Sequence, residues 1–244
     1  MNIVLQGVTV TNWSKDPLLK LDATQSRKLE DSITASRRMT SDSLTLLRDY
    51  RRKLQVKAVD AQMAKDFFGS GAVVKEALAK YFGVVKGSAT FDTDLDTIIA
   101  KLATTDAGLN APFGIVVGNI HDMDDIREGI GGAWQELKNG QFRASVASLK
   151  FIRTGTEGWV HPGHAQQRIH LNVNSLASEP TGKVARILVH EATHKFAGTI
   201  DVAYKWENLK NNAGGHANLT NNADSYAWAC RLIWKRKRNL PAGS

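Results

Sequence analysis

An α+β fold is predicted, with a mostly helical N-terminal half, a small sheet, and two further helices towards the C-terminus. Three patterns lead to this prediction. Apolar residues recur at near-helical intervals from Asp22 to about Leu54, and helical patterning continues to about residue 104. After Pro112, short alternating or β-branched runs appear between glycine, asparagine and proline residues. Helical spacing then returns from Lys183 and again from about Asn222.

The individual elements follow from local signals. Residues 1–20 contain the alternating run "NIVLQGVTV" and are expected to form a short strand or an ordered arm, with one main domain over residues 21–240. The segment "KVARILVHEATHKF" is predicted to be a helix that starts near Pro180 and stops at Gly198. The last helix is predicted to be capped by an asparagine and to end near Lys237.

Composition argues against disorder and against a fibrous architecture, since 42% of the 244 residues are hydrophobic and 23% are charged. The formal net charge of +8 favours acidic partners, but the basic residues concentrate in helix-like segments such as "SRRMTSDSLTLLRDYRRKL" and in "KRKR", where a solvated helix face is expected. We therefore expect no nucleic-acid partner.

The sequence gives only general information about the cellular compartment of the protein. Cys230 is the one cysteine, so an intrachain disulfide is excluded, and we expect the thiol to pack as a small hydrophobic group. The N-terminus lacks the pattern of a signal peptide, and no segment reaches the roughly 18 apolar residues of a membrane span. A soluble protein is expected, either cytoplasmic or exported by a route that needs no signal peptide.

The stretch "HEATH" carries the strongest chemical signal. Residues four apart lie on one helix face, so His190 and His194 can direct two imidazoles at one metal ion. Glu191 lies between them and is the candidate general base towards a water on that metal. A surface helix with two unremarkable histidines is the alternative interpretation.

A catalytic zinc needs a third protein ligand and one open position. The glycine-containing turn "AGTI" reverses the chain after the helix, and Asp201 is the first hard oxygen ligand beyond it. Three residues later, the phenol of Tyr204 can donate a hydrogen bond to the oxyanion formed when water attacks a peptide carbonyl. These residues predict peptide hydrolysis with one zinc per chain and no nucleotide cofactor.

The residues "HEATH" and "GTIDVAY" resemble the aspzincin pattern H-E-x-x-H followed by G-T-x-D-x-x-Y, found in deuterolysin and peptidyl-Lys metalloendopeptidases. The later "NNADSYAW" is similar to the N-A-x-x-Y segment of that family. The resemblance implies a zincin-like catalytic domain, with His190, His194 and Asp201 as zinc ligands, Glu191 as base and Tyr204 as transition-state stabiliser. The implied substrate is a polypeptide.

The resemblance also implies substrate-binding residues. In zincins the strand before the active-site helix pairs with substrate, and "RIHLN" occupies that place, which makes Arg168, His170 and Asn172 candidates. Lysine-preferring aspzincins resemble this chain at Asp224, but their second acidic residue corresponds to Ala227 here, so a strict preference for lysine is not expected.

Other metal patterns fit less well. A metzincin would need histidine at Ile200, and Glu207 is too close to the motif for a gluzincin ligand. The histidines of "HPGHAQQRIH" have irregular spacing for a second metal site, and His216 is expected in a solvent-exposed loop.

Two other functions remain open at this level. The same hydrolase could be a delivered toxin or effector with a narrow protein target, which cleavage of a panel of proteins would reveal. Alternatively, the chain could be a non-catalytic basic binding module with a vestigial zinc site, which would bind nucleic acid in a salt-sensitive way without hydrolysis.

Overall fold

A computed structural model describes residues 2–12, 21–55, 71–118, 135–137, 141–143, 157–160, 168–203 and 218–238. These residues are mostly helical and include a small mixed sheet, which confirms the predicted α+β class. Among them, no helix combines the length and the apolar character needed to cross a membrane.

Six helices and one short 3₁₀ turn (Leu219–Asn221) are described. The helices are α1 (Ala23–Gln55), α2 (residues 71–82, ending in the π-helical turn Leu78–Phe82), α3 (Phe91–Asn110), α4 (Val173–Ser178), α5 (Thr181–Ala197) and α6 (Ala223–Lys237). The long helix predicted from Asp22 is confirmed as α1. Its fully buried residues Leu29 and Ile33 recur at helical spacing, which places one side of the helix against the core.

Seven strands are described: β1 (Asn2–Leu5), β2 (Val8–Asn12), β3 (Phe113–Gly118), β4 (Gln135–Leu137), β5 (Gln141–Arg143), β6 (Gly158–Trp159) and β7 (Ile169–Asn172). Five form one sheet in the order β1-β2-β3-β7-β6, and β4 and β5 form a separate antiparallel pair. β2, β3 and β7 run parallel, whereas the outer strands β1 and β6 are antiparallel to their neighbours.

The N-terminal segment is part of this sheet. β1 and β2 form a hairpin across a turn in which Gln6 and Gly7 both have positive φ, and β2 then pairs in parallel with β3. Val8 and Val10 are completely buried. The residues predicted to be a strand or an arm therefore supply two strands of the main sheet.

The motif-bearing helix α5 is buried on all sides. Every residue from Val184 to Lys195 is buried. Ile187 and Leu188 pack in the core beneath the sheet, while Ala185 and Val189 pack in the core among the other helices. Because this helix lies in the interior, its polar side chains must find partners or line a cleft.

Close packing of α3 fixes the end of α5. A Cβ built at Gly108 would lie 2.2 Å from the Phe196 ring, so only glycine allows α3 to approach the last turn of α5 this closely.

On α6, Cys230 is buried in the helical core, and this burial raises the pKa of its thiol to about 12. The expectation that it packs as a small hydrophobic group is confirmed.

Candidate active site

α5 brings two imidazoles together one turn apart. The rings of His190 and His194 have centroids 4.8 Å apart and stand nearly perpendicular, at 83°. Their Nε2 atoms are 3.1 Å apart, so both rings point the same nitrogen at one place. The spacing predicted from the sequence therefore produces a convergent pair.

The opposite ring nitrogens are fixed by acceptors. His194 Nδ1 is 2.7 Å from the carbonyl oxygen of Thr199, and His190 Nδ1 is 2.9 Å from Oδ1 of Asp224. A carbonyl and a carboxylate can only accept, so both Nδ1 atoms donate. In the neutral imidazoles, each Nε2 then carries the lone pair that a metal-ligating histidine requires.

The turn after α5 carries Asp201 back to the histidines. Gly198 adopts the left-handed conformation, with φ of 63°, and its N–H donates to the carbonyl of His194 while the Thr199 N–H donates to Thr193. Asp201 Oδ1 then lies 3.1 Å from His194 Nε2 and 3.2 Å from His190 Nε2.

Three lone-pair-bearing atoms thus meet in a nearly equilateral triangle with sides of 3.1 to 3.2 Å. Zinc bound tetrahedrally at about 2.0–2.1 Å by two nitrogens and an oxygen holds such donors about 3.3–3.4 Å apart. The side chains therefore fit a zinc ion with only a small adjustment.

The electrostatics favour a positive charge at this triangle. Burial lowers the pKa of His190, but hydrogen bonds to Asp201 and Asp224 outweigh this effect and raise the pKa to about 10. Burial acts to raise the pKa of Asp201, yet the two imidazoles hold it well below its usual range. A proton or a metal ion is stabilised between the three groups for the same Coulombic reason.

Glu191 lies beside the histidines and is 4% exposed. Its Oε1 is 3.9 Å from His190 Nε2, and His190, Glu191 and His194 offer atoms that all lie within 4.8 Å of one another. Burial raises the pKa of Glu191 to about 7, although the two imidazoles lower it. Such a carboxyl group can take up and release a proton near neutral pH.

β6 runs directly against this part of α5. A Cβ built at Gly158 would lie 2.9 Å from Ile187 Cγ2 and 3.2 Å from Glu191 Cγ. Glycine at this position therefore allows the outer strand of the described sheet to lie next to the Glu191 side chain.

Asn222 holds the turn that carries Asp201. Its Oδ1 accepts from the backbone N–H of Val202 at 2.9 Å and of Ala203 at 3.2 Å, and its Nδ2 donates to Ser225. The prediction that an asparagine caps α6 was right about position but wrong about the side chain, which makes no capping hydrogen bond because it is used by the Asp201 turn. Sequence reasoning missed this role, although "NNADSYAW" was the segment that contained it.

The aspzincin family model, described as lysine-specific metallo-endopeptidase, matches residues 164–228. The match includes both histidines, Glu191 and Asp201. Over these residues, the chain is similar to the aspzincin family. No curated protein and no solved structure matches the chain.

Within the matched residues, Asp224 does not face an open pocket. It is 4% exposed, and it contacts His190 and also Arg186, whose Nη1 lies 3.4 Å from Asp224 Oδ1. Ala227, where the resemblance to lysine-preferring aspzincins implies an acidic residue, is completely buried.

Among the described residues, β7 has a neighbouring strand on each side. β3 pairs with it from Ile169 to Asn172 on one side, and β6 pairs with it at His170 and Leu171 on the other. The Asn172 N–H also donates to the carbonyl of Glu157. Among the described residues, β6 therefore occupies, at His170 and Leu171, the second edge of the strand that was expected to pair with substrate.

The polar side chains of this segment also point away from the histidines. Ile169 and Leu171 pack in the core with α5, and side chains alternate between the two faces of a strand. Arg168, His170 and Asn172 therefore lie on the opposite face of the sheet, and the structure does not bring them to the site.

On that opposite face, Arg168 and His170 contact other parts of the fold. Arg168 donates from Nη1 to Thr11 Oγ1 at 2.8 Å, and His170 is 2% exposed. Burial, together with the nearby Arg168, lowers the pKa of His170 to about 3, which favours a neutral imidazole.

Several predicted residues lie outside the described residues. Tyr204 is one of them, and so are Glu207, His161, His164 and His216. The predicted role of Tyr204 and the interpretations of the other four stay as the sequence left them.

Proposed function

We propose that this chain is a zinc-dependent metalloendopeptidase with a zincin-like catalytic domain. His190, His194 and Asp201 are its zinc ligands, Glu191 is the general base, and Tyr204 stabilises the oxyanion. The observation that carries the proposal is the triangle of two Nε2 atoms and Oδ1, with sides of 3.1 to 3.2 Å.

The triangle supports a cation because its members would otherwise repel one another. Both imidazoles donate their Nδ1 protons outward, to Thr199 and Asp224, so lone pairs of both rings face the Asp201 carboxylate. Two imidazoles and one carboxylate form a donor set that zinc accepts, and three protein ligands are the number found in catalytic zinc sites.

Each residue then has a separate task. Zinc, when bound, supplies a Lewis acid that polarises a carbonyl oxygen and makes water nucleophilic near neutral pH. Glu191 takes a proton from the attacking water at its carboxylate and later delivers it to the nitrogen of the leaving amine. Tyr204, whose role rests on the family resemblance, donates its phenolic hydrogen to the oxygen that becomes negative.

The outer strand β6 gives a place for an extended substrate. It is the last strand of the described sheet on the α5 side, and its Gly158 lies against Glu191. A peptide that adds to this edge by backbone hydrogen bonds would have its scissile bond close to the base. Recognition through the backbone would accept many side chains.

Pairing of the basic residues favours a peptidase over a basic binding module. Arg51 of α1 forms ion pairs with Asp92 and Asp96 of α3, and Lys237 of α6 pairs with Asp42. Arg37 donates to the backbone carbonyls of Gln6 and Leu109. Part of the positive charge in the described helices is thus paired with acceptors within the fold.

Two variants test the assignment together. Glu191→Gln should retain zinc, measured by elemental analysis of the purified protein, but lose hydrolysis of casein or of a peptide library. Asp201→Ala should lose both hydrolysis and much of the zinc, because one of three protein ligands is missing.

Equal zinc content in the two variants would remove Asp201 from the ligand set. Wild-type protein that holds no zinc, or that cleaves peptides equally well after treatment with a chelator, would contradict the proposed function. His170→Ala is a control outside the site, since its imidazole lies on the other face of the sheet, and it should retain stoichiometric zinc.

A further inference from the structure

A hydrogen bond between Asp224 and His190 connects α6 to α5, on the side of the imidazole that is opposite Nε2. Its Oδ1 accepts the Nδ1 proton of His190 at 2.9 Å, and both residues are buried, at 4% and 8% exposure. The two residues are 34 apart in sequence, so this contact is made only in the folded chain.

We propose that Asp224 is a positioning residue that orients His190 for zinc, and that Arg186 neutralises the remaining negative charge of Asp224. Asp224 therefore does not select lysine in the substrate. This inference rests on the proposed peptidase function. It departs from the lysine-specific description of the family model.

The hydrogen bond to Asp224 has two effects on His190. It keeps the proton on Nδ1, which leaves the Nε2 lone pair directed at Asp201 and His194. It also opposes a flip of the imidazole about its Cβ–Cγ bond, because only one ring orientation places Nδ1 at Asp224 and Nε2 at Asp201. Loss of such a partner typically lowers metal affinity by about 10- to 100-fold.

Arg186 lies one helical turn before His190 on the same side of α5. Its Nη1 is 3.4 Å from Asp224 Oδ1, its Nη2 is 3.2 Å from Glu157 Oε2, and its guanidinium stacks 4.7 Å from the Trp228 ring centroid. The residue is 9% exposed. An internal cation is therefore held in place by a carboxylate on each side and by an aromatic face.

This arrangement works against a substrate lysine at Asp224. A lysine ammonium would have to approach a carboxylate that already has two partners, and it would come close to the Arg186 guanidinium. A second guanidinium, that of Arg231, lies 5.3 Å from the same Trp228 ring. Ala227 supplies no additional carboxylate, so like-charge repulsion would dominate.

Zinc affinity separates the positioning role from substrate recognition. We would measure the zinc dissociation constant of the full chain by competition with a chromogenic chelator, for wild type, Asp224→Ala and Asp224→Asn. Asp224→Ala should bind zinc about 10- to 100-fold more weakly. Asp224→Asn, whose side-chain oxygen can still accept from Nδ1, should fall between the two.

Asp106→Ala is the matched control. Asp106 is a partly buried carboxylate on α3 that accepts hydrogen bonds from Thr40 and Ser41, away from the histidines. Its loss should lower the melting temperature of the zinc-free protein and leave zinc affinity unchanged. Unchanged affinity in both Asp224 variants would overturn the positioning role.

A second measurement addresses specificity. Peptides that differ only by lysine, alanine or glutamate on either side of the cut should be cleaved by wild type without marked enrichment for lysine, and Asp224→Asn should lower kcat/KM for all of them by a similar factor. A strong preference of wild type for lysine that disappears in Asp224→Asn at unchanged zinc affinity would overturn the inference.

The outcomes also distinguish this inference from the proposed function. Zinc binding without any hydrolysis by wild type would refute the peptidase, while the affinity series would still decide the role of Asp224. Wild type that binds no zinc would overturn both.

Discussion

Removal of the Asn222 side chain tests how the fold places Asp201. Asn222 is completely buried, and its Oδ1 accepts from the backbone N–H groups of Val202 and Ala203. Asn222→Ala leaves both groups without this acceptor. Val202 is 44% exposed, so water can replace the bond there, whereas Ala203 is 6% exposed and its N–H would be left buried.

A buried N–H without an acceptor costs about 1–3 kcal/mol. If this cost falls on the turn conformation that presents Asp201, zinc binding must supply it, and zinc affinity should fall by about 5- to 150-fold at a tenfold change per 1.4 kcal/mol. Chelator competition measures the affinity, and thermal unfolding of the zinc-free protein shows whether the rest of the fold is retained.

The control is Asn110→Ala. Asn110 is exposed at the end of α3, and its Nδ2 donates to the Asp106 carbonyl. This variant should bind zinc as wild type does. If Asn222→Ala also keeps wild-type zinc affinity, the turn is held in place by other contacts, and the reasoning about Asn222 is refuted.

Further predictions concern packing around α5. Gly158→Ala should lower kcat/KM while the protein stays folded by circular dichroism, since the added methyl group presses on Glu191 Cγ at 3.2 Å; wild-type activity would contradict the role of β6. Gly108→Ala should lower the free energy of unfolding in urea by about 1–3 kcal/mol, because its Cβ overlaps the Phe196 ring. In native protein, Cys230 should resist thiol reagents that label the urea-unfolded chain, since burial raises its pKa to about 12. Rapid labelling of native protein would contradict this packing.

Local spacing was sufficient to predict the centre of the site. His190 and His194 converge because a helix repeats every 3.6 residues, and the left-handed Gly198 returns the chain to bring Asp201 within 3.2 Å of both rings. These contacts span at most eleven residues of sequence. The convergence of the two rings is therefore contained in the helix, whereas the position of Asp201 also depends on the hydrogen bonds from Asn222 to its turn.

Strand order was not predictable in the same way. The segment "RIHLN" was correctly predicted to be a strand, but its position between β3 and β6 depends on residues that are distant in sequence. Alternation within a strand shows that two faces exist. It does not show which neighbours occupy its edges, so the pairing of β6 with β7 could not be predicted from the sequence.

The sequence by itself determined a helix with two histidines and a glutamate on it, a glycine turn, and an aspartate returning to the same point, because each depends on backbone geometry over a few residues. Tertiary structure decided which residues hold that group in position. Asp224 meets His190 and Asn222 holds the Asp201 turn only because α6 packs against α5. Contacts between residues that are 19 to 34 positions apart leave no periodic pattern in a sequence.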